Sequence, residues 1–271
     1  MKKWDWYQAS MDHPPEWVLG ELIRAFDLSQ SSPGRPKNGY TQAANVVRGD
    51  QVLAQVYWGT NPGTHVIGTG ENAPAVAEVL RALGPHRVTR ADAAEDYVCP
   101  GLFDEFAVQA MEYAQRHGIK INQQGDWARG EGRTLYLGAR SAPVQLVVYE
   151  KGYEVGLEFG GDPDHVRFEV RVRPAKQSRA AVAEWSPGEC WGASRWLRGL
   201  MADFGLDGYA SHSIGTVWRP SDAERARMVL VRQYGAIIRE WVDEAGSWGE
   251  WLDQIREKVE EAKDGDRVCG V

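Results

Sequence analysis

The sequence predicts an α+β protein, sheet-rich over residues 1–175 and mainly helical over 176–263, with 264–271 as a tail. A single domain throughout is the alternative division. Three observations predict this. Short apolar runs are joined by tight turns, as where Gly49-Asp50 separates Tyr40–Arg48 from Gln51–Gly59. Other segments space their apolar residues every three or four positions, the period of a helix packed on one face. The last fifty or so residues hold two such segments, each opened by a Ser with Glu three residues on: Ser221/Glu224 and Ser247/Glu250.

In order, Trp4–Ala9 reads as a first strand, ended by the turn-like MDHPP. Pro15 then starts a helix, PEWVLGELIRAFD. The Ser/Pro/Gly/Lys stretch SQSSPGRPKNG reads as a long loop, a place where function or mobility concentrates. After the first hairpin, Asn61-Pro62-Gly63 turns into a strand THVIG. ENAPAVAEVLRALG is a helix stopped by Gly84. HRVTRADAAEDY is an extended strand whose Arg90, Asp92, Ala94 and Asp96 share a face. LFDEFAVQAMEYAQRHG is a helix ending at Gly118. RTLYLGARSAPVQLVVYEKGYE gives two strands and HVRFEVRVRP a third. AKQSRAAVAEW is helical, SPGE breaks it, and Glu189 opens another helix; SHSIGTVWRP reads as extended.

Bulk properties narrow the function. At 271 residues the chain can bury a full core. No run approaches the roughly 18–20 apolar residues of a membrane helix, and the start MKKWDWYQASMD lacks the apolar stretch of a signal peptide. Cys99, Cys190 and Cys269 lie far apart and form no CxxC, which suits a reducing cytoplasm. There is no GKS/GKT phosphate loop and no GxSxG elbow, so neither ATP-driven nor serine-hydrolase chemistry is supported. The net charge of −7 opposes a nucleic-acid partner, but its distribution softens the objection. Residues 165–180 hold five cations against one acid, whereas 241–271 hold nine acids against four cations.

Candidate chemistry lies on the strands. Asp92, Asp96 and Glu169 are hard oxygen donors suited to a divalent cation such as Mg²⁺. Asp92 and Asp96 stand roughly 13 Å apart along one strand, so either paired with Glu169 is easier than both together. Equally open is a cross-strand ladder of surface ion pairs, with Arg90 and Arg167 partnering the acids. Tyr149 is a candidate nucleophile, with Lys151 on its face if the strand continues; a packed strand ring is the ordinary alternative. Tyr153 is a rival. Gly152 ends the strand on this reading, which leaves Tyr153 in a turn. His65 lacks a second histidine two residues on, where Ile67 stands, so it reads as a hydrogen-bonding residue before it reads as a ligand.

These residues together resemble the replication initiation factor (Rep_trans-type) family, the initiators of rolling-circle plasmids and filamentous phages, which includes relaxases of some conjugative elements. The matching pieces are WDWYQAS, VTRADAAEDY, RTLYLGARSAPVQLVVYEKGYE, VRFEVRVRP and RQYGAIIREWVDEAG, in the family's order over about residues 4–245. Ala139 and Ala142 depart from it. The resemblance implies an α+β fold around a mainly antiparallel central sheet flanked by helices. It implies nicking of one DNA strand at an origin, single-stranded or hairpin, through a 5′-phosphotyrosyl intermediate with a divalent metal, Mg or Mn. Tyr149 would be the nucleophile, Asp92 and Glu169 metal ligands, and Asp96 a further acid at the metal. Arg140 and Lys151 would contact phosphate. Arg167, Arg171 and Arg173 would neutralise the DNA backbone, and the 3′-OH would prime the host replication machinery. A homodimer is a further implication. The readings to be separated are an initiator, a relaxase for conjugative transfer, and a non-catalytic DNA-binding regulator.

Overall fold

In a computed structural model the chain is described over residues 1–206, 208–215 and 222–268, without the side chains of 222–226, 228 and 261–268. The order of elements is β1 (Lys3–Met11), α1 (Pro15–Ala25), β2 (Ser31–Pro33), β3 (Gln42–Arg48), β4 (Gln51–Trp58), β5 (Thr64–Thr69) and α2 (Ala73–Leu83). There follow β6 (His86–Val98), α3 (Leu102–Arg116), β7 (Ile121–Asp126), β8 (Glu131–Leu137), β9 (Val144–Glu150), α4 (Lys151–Val155), β10 (His165–Val172), α5 (Arg179–Ala183) and α6 (Arg195–Asp203). These belong to one compact unit, Met1–Val217; a second, Trp218–Val271, holds α7 (Asp222–Ala245) and α8 (Trp248–Val268).

The ten strands form one sheet, ordered β2-β3-β4-β5-β1-β6-β10-β9-β8-β7. Every neighbouring pair is antiparallel. Outward from the central β1–β6 pair, one side runs β1-β5-β4-β3-β2 and the other β6-β10-β9-β8-β7. The two halves therefore repeat one connection: a central strand, then a meander that returns from the edge to pair beside it.

Side chains alternate across each strand, so the sheet has two chemically different faces. On one, Tyr7, Ala9 and Met11 of β1, Leu146 and Val148 of β9, and Phe168, Val170 and Val172 of β10 join a single apolar core. Val18 and Leu22 of α1, Val76 and Leu80 of α2, Phe106 and Ala110 of α3, and Leu197 and Leu200 of α6 close over it. Phe168 meets Phe106 edge-on at 4.6 Å between centroids, a geometry that adds about 1 kcal/mol to the burial of both rings. The other face carries Arg90, Asp92, Asp96, Tyr149, Arg167, Glu169 and Arg171. Helix α2 stops at Gly84, whose φ of 120° an L side chain resists.

The predicted fold is observed, with local differences. Strand β2 lies in the stretch read as a loop and β7 in a stretch given no element, because SSP and INQQGD lack an apolar alternation; edge pairing supplies their order instead. Strand β9 ends at Glu150, so Lys151 opens α4 and Tyr153 lies on that helix. The segment after Ser186 is a 3-10 turn, Pro187–Gly192, with Ser186 and Glu189 forming a capping box. The helix itself starts later, where Ser194 Oγ accepts from the Leu197 amide at 3.2 Å. Ser247 Oγ likewise accepts from the Glu250 amide at 3.2 Å, whereas the Ser221 cap lies outside the described residues. Cys99 and Cys190 are free thiols, and no described helix is long and apolar enough to cross a membrane.

Candidate nucleic-acid processing site

Register brings the predicted residues to one face. Tyr149 of β9 stands opposite Arg167 of β10 on one side and Thr134 of β8 on the other. Across β10, Arg167, Glu169 and Arg171 oppose Asp96, Ala94 and Asp92 of β6. Residues directly opposite in an antiparallel pair project the same way. Tyr149, Glu169, Asp92 and Asp96 therefore share the polar face, behind which the apolar core lies.

The charges there are interlocked. Arg90 is bidentate to Asp92, its Nε 3.0 Å from both carboxylate oxygens. Arg171 Nε lies 2.7 Å from Glu169 Oε1 and 3.8 Å from Asp92 Oδ2, so one guanidinium spans the two acids. Asp92 is 1 % exposed and Glu169 4 %. Burial, with the Glu169 carboxylate adding to it, pushes Asp92 up to about 7. Asp96 is different. Burial alone would raise it, but bonds from Arg167 and Lys3 hold it well below the usual carboxylate range. Arg167 reaches Asp96 through Nη2 at 2.8 Å and Asp5 through Nη1 at 2.8 Å. The ion pairs expected for Arg90 and Arg167 are present, but they are buried rather than at the surface, and Arg90–Asp92 lies within β6; Arg167, paired across strands, is neutralised by two acids.

Tyr149 opens on a cleft of about 380 Å³ that Glu169, Arg171, Tyr136, Tyr153 and Thr134 also line. Burial raises its phenol, Arg167 opposes that, and the charge of Glu169 adds to it. Lys151 Nζ lies 5.7 Å from the centre of the Tyr149 ring and 2.7 Å from Glu154. A neighbouring cleft of about 480 Å³ shares Tyr136 and Arg171 and contains Arg140. Beside it, burial lowers the Arg173 guanidinium, and the nearby charges of Arg90, Arg171 and Arg140 lower it further.

Among the described residues no three His, Cys, Asp or Glu side chains are grouped to hold a metal. Asp92 and Glu169, bridged by Arg171, are the acids the site brings together; Asp96 is engaged by Arg167 and Lys3. Two carboxylates suit a hard cation whose remaining ligands are water and phosphate oxygens. His65 lies in the other half of the sheet. Its Nδ1 is 2.7 Å from Ser10 Oγ, Tyr40 stacks on it at 5.4 Å, and burial lowers it to about 4. In that half the strand position matching Tyr149 is Tyr57, opposite His65 and 2 % exposed. The arginine–carboxylate set belongs to the second half.

Sequence reasoning missed three residues. Asp5 occupies a bulge in β1 between Trp4 and Trp6 and pairs with Arg167. Its signal was a lone acid inside the strand WDWYQAS. Tyr136 and Gln145 line the clefts, and only the strand register could reveal that.

Residues 86–201, from β6 to α6, match the family model described as replication initiation factor; the match contains Asp92, Tyr149 and Glu169. No curated protein matches the chain. Among solved structures, the rolling circle replication initiator protein from Geobacillus stearothermophilus is similar over 83 % of this chain and 90 % of that one, with 20 % identity and a TM-score of 0.51. The chain shares the fold of that solved structure, and the segment that carries its polar site is the one similar to the replication initiation factor model.

Proposed function

We propose that this protein starts rolling-circle replication by nicking one DNA strand at an origin, with Tyr149 as nucleophile. The observation that carries the reading is the cleft in which Tyr149, Glu169 and Arg171 meet, on the sheet face that also holds Asp92. The phenolic oxygen would attack the scissile phosphorus in line; the 3′ oxygen would leave and take up a proton from solvent. The 5′ phosphate would remain esterified to Tyr149, which conserves the phosphodiester energy for rejoining. Burial makes the phenol a poor acid, so its proton needs a nearby base. Glu169 and Asp5 are carboxylates whose charge acts on Tyr149. Arg171 and Lys151 flank the cleft as phosphate contacts, while Arg140 and Arg173 extend the cationic face. A divalent cation, Mg or Mn, held by Asp92 and Glu169, would supply positive charge to the non-bridging phosphate oxygens. The freed 3′-OH would prime the host polymerase, and a homodimer could present two such sites.

A relaxase for conjugative transfer would use the same residues in another DNA context. The interlocked ion pairs favour a second reading, a DNA-binding regulator without catalysis, since every acid of the set has an arginine. Incubation with single-stranded or hairpin origin DNA and Mg²⁺ or Mn²⁺ separates them. The expected result is a covalent protein–DNA band in the wild type and none in Tyr149→Phe. An adduct that survives Tyr149→Phe and disappears in Tyr153→Phe moves the nucleophile to α4. DNA retardation with no adduct under either metal selects the regulator.

A further inference from the structure

The second cleft holds chemistry that strand scission does not need. It lies on the same polar face, over β7, β8 and β9, and its volume of about 480 Å³ is in the range of about 300–1,000 Å³ typical of small-ligand sites. Three amides and one ring, Asn122, Gln124 and Gln145 with Tyr136, line it together with three cations, Lys120, Arg140 and Arg171. Register sets them side by side, Asn122 opposite Tyr136 and Gln145 opposite Arg171. Tyr136 donates its hydroxyl to Gln124 Oε1 at 3.0 Å, which fixes the ring.

Gln145 is the informative residue. It is 3 % exposed. Its Nε2 donates to the Gly138 carbonyl at 3.1 Å. A carbonyl only accepts, so that bond also fixes which end of the amide is oxygen. The Oε1 atom is buried and has no hydrogen-bond partner. An orphaned buried acceptor costs about 1–3 kcal/mol, and the cleft that Gln145 lines is where a donor can arrive.

Amide side chains read base edges, aromatic rings stack on base faces and arginines hold phosphates. We infer that this cleft binds one nucleotide of the DNA strand, stacked on Tyr136, with the exocyclic amino group of its base donating to Gln145. The inference rests on the nicking reading in one respect, that the strand passing Tyr149 continues over the shared residues Tyr136 and Arg171. Adenine, cytosine and guanine carry such an amino group. Thymine offers only a ring N–H set between two carbonyls, which a buried acceptor repels. The cleft would thus select the base beside the nick against thymine.

Binding of labelled pentanucleotides dTdTXdTdT, with X each of the four bases, to the full chain in metal-free buffer tests this by fluorescence anisotropy. Wild type is expected to bind at least one amino-bearing X about tenfold more tightly than X = dT. Gln145→Leu should reduce that preference to within about twofold. Tyr136→Leu should weaken all four about fivefold, as loss of stacking does, and keep the preference. Equal binding of all four by wild type overturns the inference, as does a preference that persists in a folded Gln145→Leu. The wild-type series needs no variant, so a Gln145→Leu chain that failed to fold would leave the test intact. The adduct assay is independent. Base preference without any adduct ends the nicking reading and keeps the nucleotide cleft; an adduct without base preference does the reverse.

Discussion

Asp92 shows how much a single buried carboxyl can report. Its ordinary value is 3.8, and burial beside Glu169 raises it to about 7. The fold favours the protonated form, so the stability Asp92 contributes is complete below pH 3.8 and fades as pH rises through about 7. Asp92→Asn cannot titrate. Its melting temperature should gain on that of the wild type as pH rises across this window; parallel melting curves against pH would contradict the assignment. Asp96 works in the opposite sense, its stability being lost in acid, below the usual carboxylate range. The sequence could name both acids, because a polar residue on alternate positions of a strand is visible in the letters. It could not say that Arg171 would join Asp92 to Glu169, or that Asp5 would reach Arg167 from a bulge. Those contacts join strands far apart in the chain, and only pairing register creates them.

At the scale of elements, α4 is what shapes the Tyr149 cleft. It starts where β9 ends and carries Lys151 and Tyr153. Gly152 within it leaves no room for a side chain: a Cβ there would overlap the backbone oxygen of Asp162. Gly152→Ala should therefore displace α4 from the 160–164 loop. Hydrogen exchange should rise across Lys151–Val155, and adduct formation should fall at least tenfold while the sheet remains protected; unchanged exchange in α4 would refute this. Beside it, Glu150 is 7 % exposed and accepts from both the backbone amide and the side chain of Arg133, at 2.7 and 2.8 Å. That pair ties β8 to β9, and the Arg133 guanidinium lies 4.6 Å from the centre of the Phe103 ring. Strands and helices with strong apolar periods were legible in the sequence, as were Gly84 and the Gly49-Asp50 turn. β2, β7 and the late start of α6 were not, because edge pairing and a 3-10 turn leave little trace in hydrophobic pattern.

For the molecule as a whole, net charge and binding face disagree in sign. The chain is acidic overall at −7, yet Arg140, Arg171 and Arg173 stand together on the polar face. If these three meet phosphates, the affinity for single-stranded DNA should fall with a log–log salt slope of about −2, and Arg173→Ala should flatten it by about 0.7. A slope near zero would remove the arginines from the interface. The repeated connection of the sheet has a separate consequence, for the order in which the chain can be built. β1 is made first but lies in the middle, between β5 and β6. A nascent chain released as far as α2 can already pair β1 with β5, but the opposite edge of β1 stays bare until β6 is synthesised. A bare edge of hydrogen-bonding groups invites another chain. A polypeptide ending at Leu83 is accordingly expected to self-associate in sedimentation experiments while the full chain does not do so through this edge. In the full chain the longer exposure falls on β6, whose outer edge, complete at Val98, stays bare until β10, which begins at His165, is made.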